Sequence, residues 1–432
     1  MPAEGKVVPW HRCLLVALPG WLVVRVIVLS AFALANAPTP LVWDAAWYRD
    51  LGVQGYGPAG PEAARFFPLL PAVVAVGVNL GVPAALWQVV VCWVAALFFA
   101  AALVRLTVRE SGDEAAGHRV AWLIQLVPGA SILAFGYAEA LAGLLAVLYF
   151  LALRSPRGAP VGVAAGVLSG LARPTGPVLA LPGLVEAVRS RRRGADSGGD
   201  QARGEAKDRG EAKDRGEARS SEGTSGGEGR RAGEGQSGER PKDGDGRKGG
   251  DDRRQGTSDK DKGGPGRRGG QGRGGVRWAV WLVAVAPLVG TGGYLAWAGW
   301  TFGDPLTPYR AHATTNPPGD TTAEELLTHT SPGGYPWSLV LALLGATGVA
   351  LYLCGRRLPF AYLAWTVPMV GLAVIAGGLS SLPRYLAAVF PLWMSLAITV
   401  RDRRLWLTVM TASLVGFTWV AWLTVVPGGP VP

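Results

Sequence analysis

Apolar runs of membrane-crossing length recur from one end of the chain to the other, and nothing else in the sequence constrains its fold as strongly. A bilayer core about 30 Å thick needs about 20 apolar residues in a helix. Within lipid, only helices and closed barrels satisfy their own backbone. Candidate spans cover 13–35, 84–105, 119–135, 138–153, 161–173 with 174–188, 278–299, 336–354, 358–377, 384–400 and 404–426. The pair that meets at Arg173 reads as two short helices or one broken one. The stretch 67–82, "FPLLPAVVAVGVNLGV", is apolar but short and flanked by Pro68, Pro71 and Pro83. These runs predict an all-α, polytopic integral membrane protein with about ten transmembrane helices.

A second signal interrupts the first. Although 49% of the 432 residues are hydrophobic, the block 189–277 holds 24 Lys/Arg and 17 Asp/Glu, which supplies +7 of the formal +11. It contains the local repeat "RGEAKDRGEAKDRGEAR" and then Gly/Ser/Asp/Arg-rich sequence with no apolar period. Such a segment buries too little surface to offset its ordering entropy, so it reads as a disordered loop. A solvated spacer is the plain reading; attraction to anionic headgroups is the next. RNA contact is weaker still, because no aromatic interleaves the basic residues. The chain thus divides into a transmembrane module over 1–188, with a first outer loop at 36–66, the charged loop over 189–277, and a second transmembrane module over 278–432 with an outer loop at 300–335.

A pI of 9.9 raises the question of nucleic acid. Here the excess lies in the charged block and in short loops beside apolar spans, which membrane orientation explains, so no nucleic-acid partner is expected. The N-terminus has a basic flank and an apolar run like a signal peptide. Arg25 interrupts that run and its length exceeds an h-region, which favours a retained first span. Cys13, Cys92 and Cys354 sit in apolar runs without metal-ligand spacing and read as small core residues. Ala/Gly/Arg/Val-rich, Lys-poor usage fits a GC-rich bacterial genome and hence a bacterial cell membrane.

Positive charge arbitrates the sides. The basic clusters are His11/Arg12, Arg105/Arg109/Arg119, Arg154/Arg157, Arg189–Arg193 with Arg277, Arg356/Arg357 and Arg401/Arg403/Arg404. If all are cytoplasmic, 67–82 is a re-entrant or interfacial piece. Five polar motifs then collect on the extracytoplasmic face: "WDAAWYRD", "FGYAEA", "ARPTG", "FGDPLTPYRAH" and "SSLPRY".

Each motif has a structural and a chemical reading. Trp43, Trp47 and Tyr48, with Leu51 one turn on, fit one face of a short interfacial helix. In that reading Asp44 and Asp50 merely face water. In the other, Asp44 at the mouth of the first span serves as a base toward a hydroxyl acceptor. Arg65, Arg173 and Arg384 each lie beside apolar sequence, where an arginine is costly unless paired or hydrated. They snorkel, form structural ion pairs, or surround a phosphate with bidentate donors. Glu139 either pairs with one of them or orients an acceptor. Asp304 precedes Pro305 as a turn aspartate does, while Arg310 and His312 line a site or remain at the surface. No second histidine is spaced for a metal site, and no Walker or dinucleotide glycine loop is present.

Taken in order, these motifs resemble the PIG-V type of mannosyltransferase in the GT-C glycosyltransferase superfamily. The family's Trp-Asp, Trp-Tyr and Gly-Tyr elements correspond to Trp43-Asp44, Trp47-Tyr48 and Gly55-Tyr56. Its Phe-Phe-Pro-Leu-x-Pro run corresponds to Phe66–Pro71, and its Tyr-x-Glu element to Tyr137-Ala138-Glu139. Arg173–Gly176, Phe302–Leu306 and Pro383–Tyr385 complete the order. The likeness covers nearly the whole chain except the charged insertion, which is not a family feature. His312 also stands where close relatives would carry glutamine.

The resemblance implies a GT-C-like fold and transfer of a sugar, by family mannose, from a polyprenyl-phosphate carrier. The acceptor is a hydroxyl of a glycan, lipid or protein on the outer face, attacked with inversion. Asp44 is then the catalytic base. Trp43, Trp47, Tyr48, Asp50, Arg65, Glu139, Arg173, Asp304, Arg310, His312, Arg384 and Tyr385 become substrate-binding candidates. A carrier with a single phosphate needs no diphosphate-binding metal, so metal independence and no cofactor are expected. The rival readings are a transferase for another sugar, such as arabinose or glucose, and a non-catalytic lipid or lipid-linked sugar flippase.

Overall fold

The computed structural model describes residues 8–37, 41–155, 157–192, 271–315, 337–375 and 382–426. Two units emerge, one of residues 1–190 with 275–432 and one of 191–274. Nearly all of the second, including the expected charged loop, lies outside the described residues, as does the part beyond residue 315 of the loop expected at 300–335.

Every regular element among the described residues is helical. In chain order come α1 (Trp10–Leu34), α2 (Asp44–Gln54), α3 (Tyr56–Ala59), a 3-10 turn at Pro61–Arg65, α4 (Leu69–Asn79), α5 (Ala84–Ser111) and α6 (Glu114–Leu126). After a 3-10 turn at Ala130–Ala134 follow α7 (Glu139–Leu153) and α8 (Ala159–Ala172). A further 3-10 turn, Gly176–Leu179, leads into helix α9 over 180–192. Beyond the second unit lie α10 (Gln271–Phe302) and α11 (Thr307–Thr315). The chain closes with helices Trp337–Arg357, Phe360–Ile375, Leu382–Ala388, Phe390–Thr399 and Arg403–Val425.

Four of these helices are long and apolar enough to cross a membrane: Trp10–Leu34, Ala84–Ser111, Trp278–Phe302 and Arg403–Val425. The pair Leu382–Ala388 and Phe390–Thr399, bent by 66°, counts as a fifth if it is one broken span. Their outer faces carry bare aliphatic side chains, such as Leu15, Val26, Leu282, Val289 and Val415. Apolar surface of that extent is tolerated where lipid covers it. The protein is therefore an all-α, membrane-embedded chain.

Local sequence explains the breaks. Pro83 precedes α5, and Gly112 ends it in a left-handed cap. Asp113 then caps α6 by accepting from the Ala115 N–H at 2.8 Å. Pro128-Gly129 follows the end of α6 and turns the expected span 119–135 into an α-helix followed by a short 3-10 turn. Pro174 ends α8 at Arg173, leaving two helical pieces there. α5 forms the central post, packed on α1, α6 and α7, while α7 packs on α8. Gly170 lets α8 meet α10 closely: a methyl group there would sit 2.7 Å from the Thr291 nitrogen. Thr291 Oγ1 donates to the Gly170 carbonyl at 3.1 Å.

α4 is too short to cross. Its 11 residues span about 16 Å. It packs on α2, and Trp87, in the first turn of α5, donates to the Val73 carbonyl at 2.9 Å.

Two polar clusters lie at opposite ends of α5. The α5 C-terminal turns meet a basic network in which Arg154 bonds Glu110 at 2.6 Å and Glu186 at 2.7 Å. Tyr362 donates to Glu110 at 2.9 Å, and Arg119 donates to the Ala397 carbonyl at 2.7 Å. At the other end of α5, about 30 Å away by helical rise, lies the second polar cluster.

Candidate functional site

Four segments meet at that end. Asp44 is the first residue of α2 and Glu139 the first of α7. Both carboxylates therefore sit where helix macrodipoles present positive charge. Arg173 caps the C-terminus of α8 in an extended conformation (φ −154°, ψ 155°), as a residue before proline prefers. The last segment, Leu382–Ala388, carries Arg384 and Tyr385.

The geometry is a chain of opposite charges. Arg384 Nη1 lies 3.1 Å from Asp44 Oδ2, and Arg384 Nε lies 3.1 Å from Glu139 Oε1. Glu139 Oε1 also pairs with Arg173 Nη1. The Glu139 carboxylate thus acts as a shared counter-charge between two guanidiniums. Tyr385 lies beneath both cations, its ring centre 5.2 Å from the Arg384 Cζ and 5.4 Å from that of Arg173. Tyr137 flanks Arg384 at 5.6 Å. Such cation–π contacts hold the guanidinium planes without consuming their donors.

Burial separates the roles. Glu139 is 1% exposed and Arg384 8%. The Asp44 side chain keeps 29% of its surface open. Asp44 is thus the reachable acid and Glu139 the enclosed one. Tyr48 is buried beside them. Burial, opposed by Arg173 and reinforced by Glu139 and Asp44, pushes its phenol up, so it stays protonated as a neutral donor. Beside the cluster, Glu139, Arg173 and Tyr385 form the polar end of a small, partly open cleft between α7, α8 and the helix Phe360–Ile375. Its remaining wall is mostly apolar, including Ala142, Ala146, Leu179, Trp365 and Met369, with Ser169 and Thr175 as further polar members.

The backbone beside Asp44 is unusual. Trp43 has φ 51° and ψ −122°, a conformation that L side chains avoid. Strain of this kind costs about 1–3 kcal/mol and persists only where the surroundings enforce it.

The other sequence candidates lie close by or apart. Trp47 stacks on Phe66 with ring centres 5.5 Å apart, and the Arg65 guanidinium sits 4.8 Å from the Phe66 ring. Trp43 is 43% exposed at the rim. Asp50 pairs with its neighbour Arg49 at 2.7 Å on the surface, and no contact brings it to the Asp44 cluster. Asp304 behaves as a turn residue, accepting from the Leu306 N–H at 2.9 Å and pairing with the exposed Arg310 at 2.9 Å. α11 nevertheless touches the site's edge, where Tyr309 donates to the Pro174 carbonyl at 3.3 Å. His312 lies in α11, but its side chain is outside the described residues. No three His, Cys, Asp or Glu side chains among the described residues come together as a metal site would need.

Two supporting residues escaped the sequence reading. Gln88, fully buried, donates to the carbonyls of Ala45 (2.8 Å) and Gly136 (2.7 Å). Arg25 donates to the Leu133 carbonyl at 3.3 Å and lies 4.5 Å from the Trp21 ring. The available signal was a polar residue inside an apolar span.

No family model matches the chain, and no curated protein matches its sequence significantly.

Proposed function

We propose that this chain is a polyprenyl-phosphate-sugar-dependent glycosyltransferase of the bacterial cell membrane, with a GT-C-like arrangement of about ten spans. In this reading α4 is interfacial or re-entrant, and the site opens on the extracytoplasmic face. The sugar, mannose by resemblance, passes to a hydroxyl of a glycan, lipid or protein acceptor. The observation that carries the reading is the reachable Asp44 carboxylate paired with the largely buried Arg384, which Glu139 links to Arg173 at the polar end of a mostly apolar cleft.

The chemistry follows from those groups. Asp44 accepts the proton of the acceptor hydroxyl as that oxygen attacks the anomeric carbon from the face opposite the carrier. The bond from the anomeric carbon to the phosphate oxygen breaks, and its electron pair leaves with the polyprenyl phosphate. Arg384 and Arg173 stabilise the charge that develops there, a role suited to planar, bidentate donors. The apolar wall of the cleft suits the carrier's isoprenoid chain. Asp44 returns its proton to water at the open side.

Purified protein in lipid vesicles, supplied with labelled polyprenyl-phosphate mannose and a panel of acceptors, should yield a mannosylated product by mass analysis. Parallel donors carrying arabinose or glucose identify the sugar. No product from any donor, with the fold intact, removes the reading. The polar network of Glu110, Arg154, Glu186 and Tyr362 at the far end gives a flippase reading one observation in its favour. Movement of labelled lipid across the vesicle without chemical change would establish that alternative.

A further inference from the structure

We infer that Gln88 is a positioning residue, a strut that fixes the backbone bearing Asp44 against the backbone bearing Glu139; its kinetic consequence rests on the proposed transferase reading. Gln88 occupies the second turn of α5 and is fully buried. Both atoms that face its amide nitrogen are carbonyl oxygens, which fixes the nitrogen on that side. One belongs to Ala45, directly after Asp44. The other belongs to Gly136, three residues before Glu139.

A second tie runs parallel. Tyr137 Oη donates to the Val42 carbonyl at 3.0 Å. One turn along α5 from Gln88, Cys92 Sγ contacts the Tyr137 carbonyl at 3.4 Å. The carbonyls of Val42 and Ala45 bracket Trp43 and Asp44, so the strained Trp43 backbone is held on both sides. Gly136 belongs to non-helical backbone between α6 and α7, whose carbonyls need protein donors at membrane depth. Gln88 supplies one donor to that loop and one to α2. It touches neither Arg384 nor the cleft, so its influence passes through the two carboxylates it aligns.

Gln88→Met keeps the side chain's bulk and removes both donors. In full-length protein in nanodiscs, amide exchange of a peptide covering 42–48 should rise about tenfold or more, because two buried hydrogen bonds are lost. Peptides from Arg403–Val425 should stay unchanged. With a polyprenyl-phosphate sugar donor, kcat should fall about 10–100-fold while KM stays within about twofold, as expected for displaced rather than deleted groups. Gln88→Asn, which keeps the amide but reaches only one carbonyl, should show the same pattern at reduced size, and it serves as the test if the methionine variant does not fold. Unchanged exchange at 42–48, a rise spread over all helices, or unaltered kcat despite local loosening would each overturn the strut. If the wild-type protein transfers no sugar, the transferase reading fails on its own, and the exchange pattern alone decides the strut.

Discussion

Arg384 Nη1 lies 3.1 Å from Asp44 Oδ2, joining residues 340 positions apart in the chain. The same guanidinium reaches Glu139 with its Nε, so one side chain orients an accessible and an enclosed acid together. Asp44→Asn should leave unfolding unchanged and lower sugar transfer by about 10²–10⁴-fold, the loss of a general base. Arg384→Lys retains the charge but offers one ammonium where two acids are served. Transfer should fall about 10²-fold through lost alignment. Both are checked by product formation in vesicles beside a thermal melt. Normal transfer by Asp44→Asn would remove the base.

Glu139 stands between two cations with almost no access to water. Removing one partner of a buried ion group strands the others, at a cost of about 3–5 kcal/mol. Glu139→Ala should therefore lower the unfolding temperature of detergent-solubilised protein markedly, and Glu139→Gln less. An unaltered midpoint for the alanine variant would show that Arg173 and Arg384 do not depend on it.

The members of this cluster were legible because charge beside apolar sequence is expensive and therefore has a reason. Asp44, Glu139, Arg173 and Arg384 all stood out on that ground, and they meet. Asp50, Asp304 and Arg310 stood out equally, yet Asp50 pairs with Arg49 and Asp304 with Arg310, because an exposed polar residue finds partners among its neighbours. In "LWQVVVCW" Gln88 shows only as a polar residue inside an apolar run; the meeting of α2, α5 and the 129–138 segment reveals its work. The Trp43 backbone was equally hidden, since no Gly or Asn marks the position. Helix limits shifted where local chemistry intervened. α5 runs on to Ser111, and the expected span 384–400 bends between Ala388 and Phe390.

At the opposite end, Asp113 accepts from the Ala115 N–H and from Arg119 Nη2 at 3.0 Å. Burial works against its charge, but the backbone donors of Ala116 and Ala115 and the Arg119 guanidinium hold its pKa below the usual value. Because the folded value lies below the unfolded one of about 3.9, the cap stabilises fully above that pH and fades as pH falls through it. Asp113→Ala should cost about 1 kcal/mol near neutrality. The deficit should shrink below about pH 4, as read from denaturation melts across pH; a pH-independent deficit would assign the loss to something other than the charged cap.

Residues 193–270 lie outside the described structure, and composition alone carries the expectation for them. A charged segment with no apolar period contributes little to a folded core. Deleting 195–270 should leave sugar transfer within about twofold in vesicle assays. Loss of transfer with normal membrane insertion would give the segment a direct role.

Sidedness offers the test on which the proposed site depends most. Asp50 and Arg310 are partly or largely exposed near the Asp44 end, while Arg157 is exposed near the Arg154 network. Cys13, Cys92 and Cys354 are buried, so an impermeant maleimide applied to whole cells should leave them silent. Asp50→Cys and Arg310→Cys should be labelled in intact cells. Arg157→Cys should be labelled only after permeabilisation, because basic loops are retained in the cytoplasm. Labelling of Asp50→Cys from the cytoplasmic side alone would place Asp44 where a carrier presented outside never arrives, and the acid–guanidinium cluster would then be structural rather than chemical.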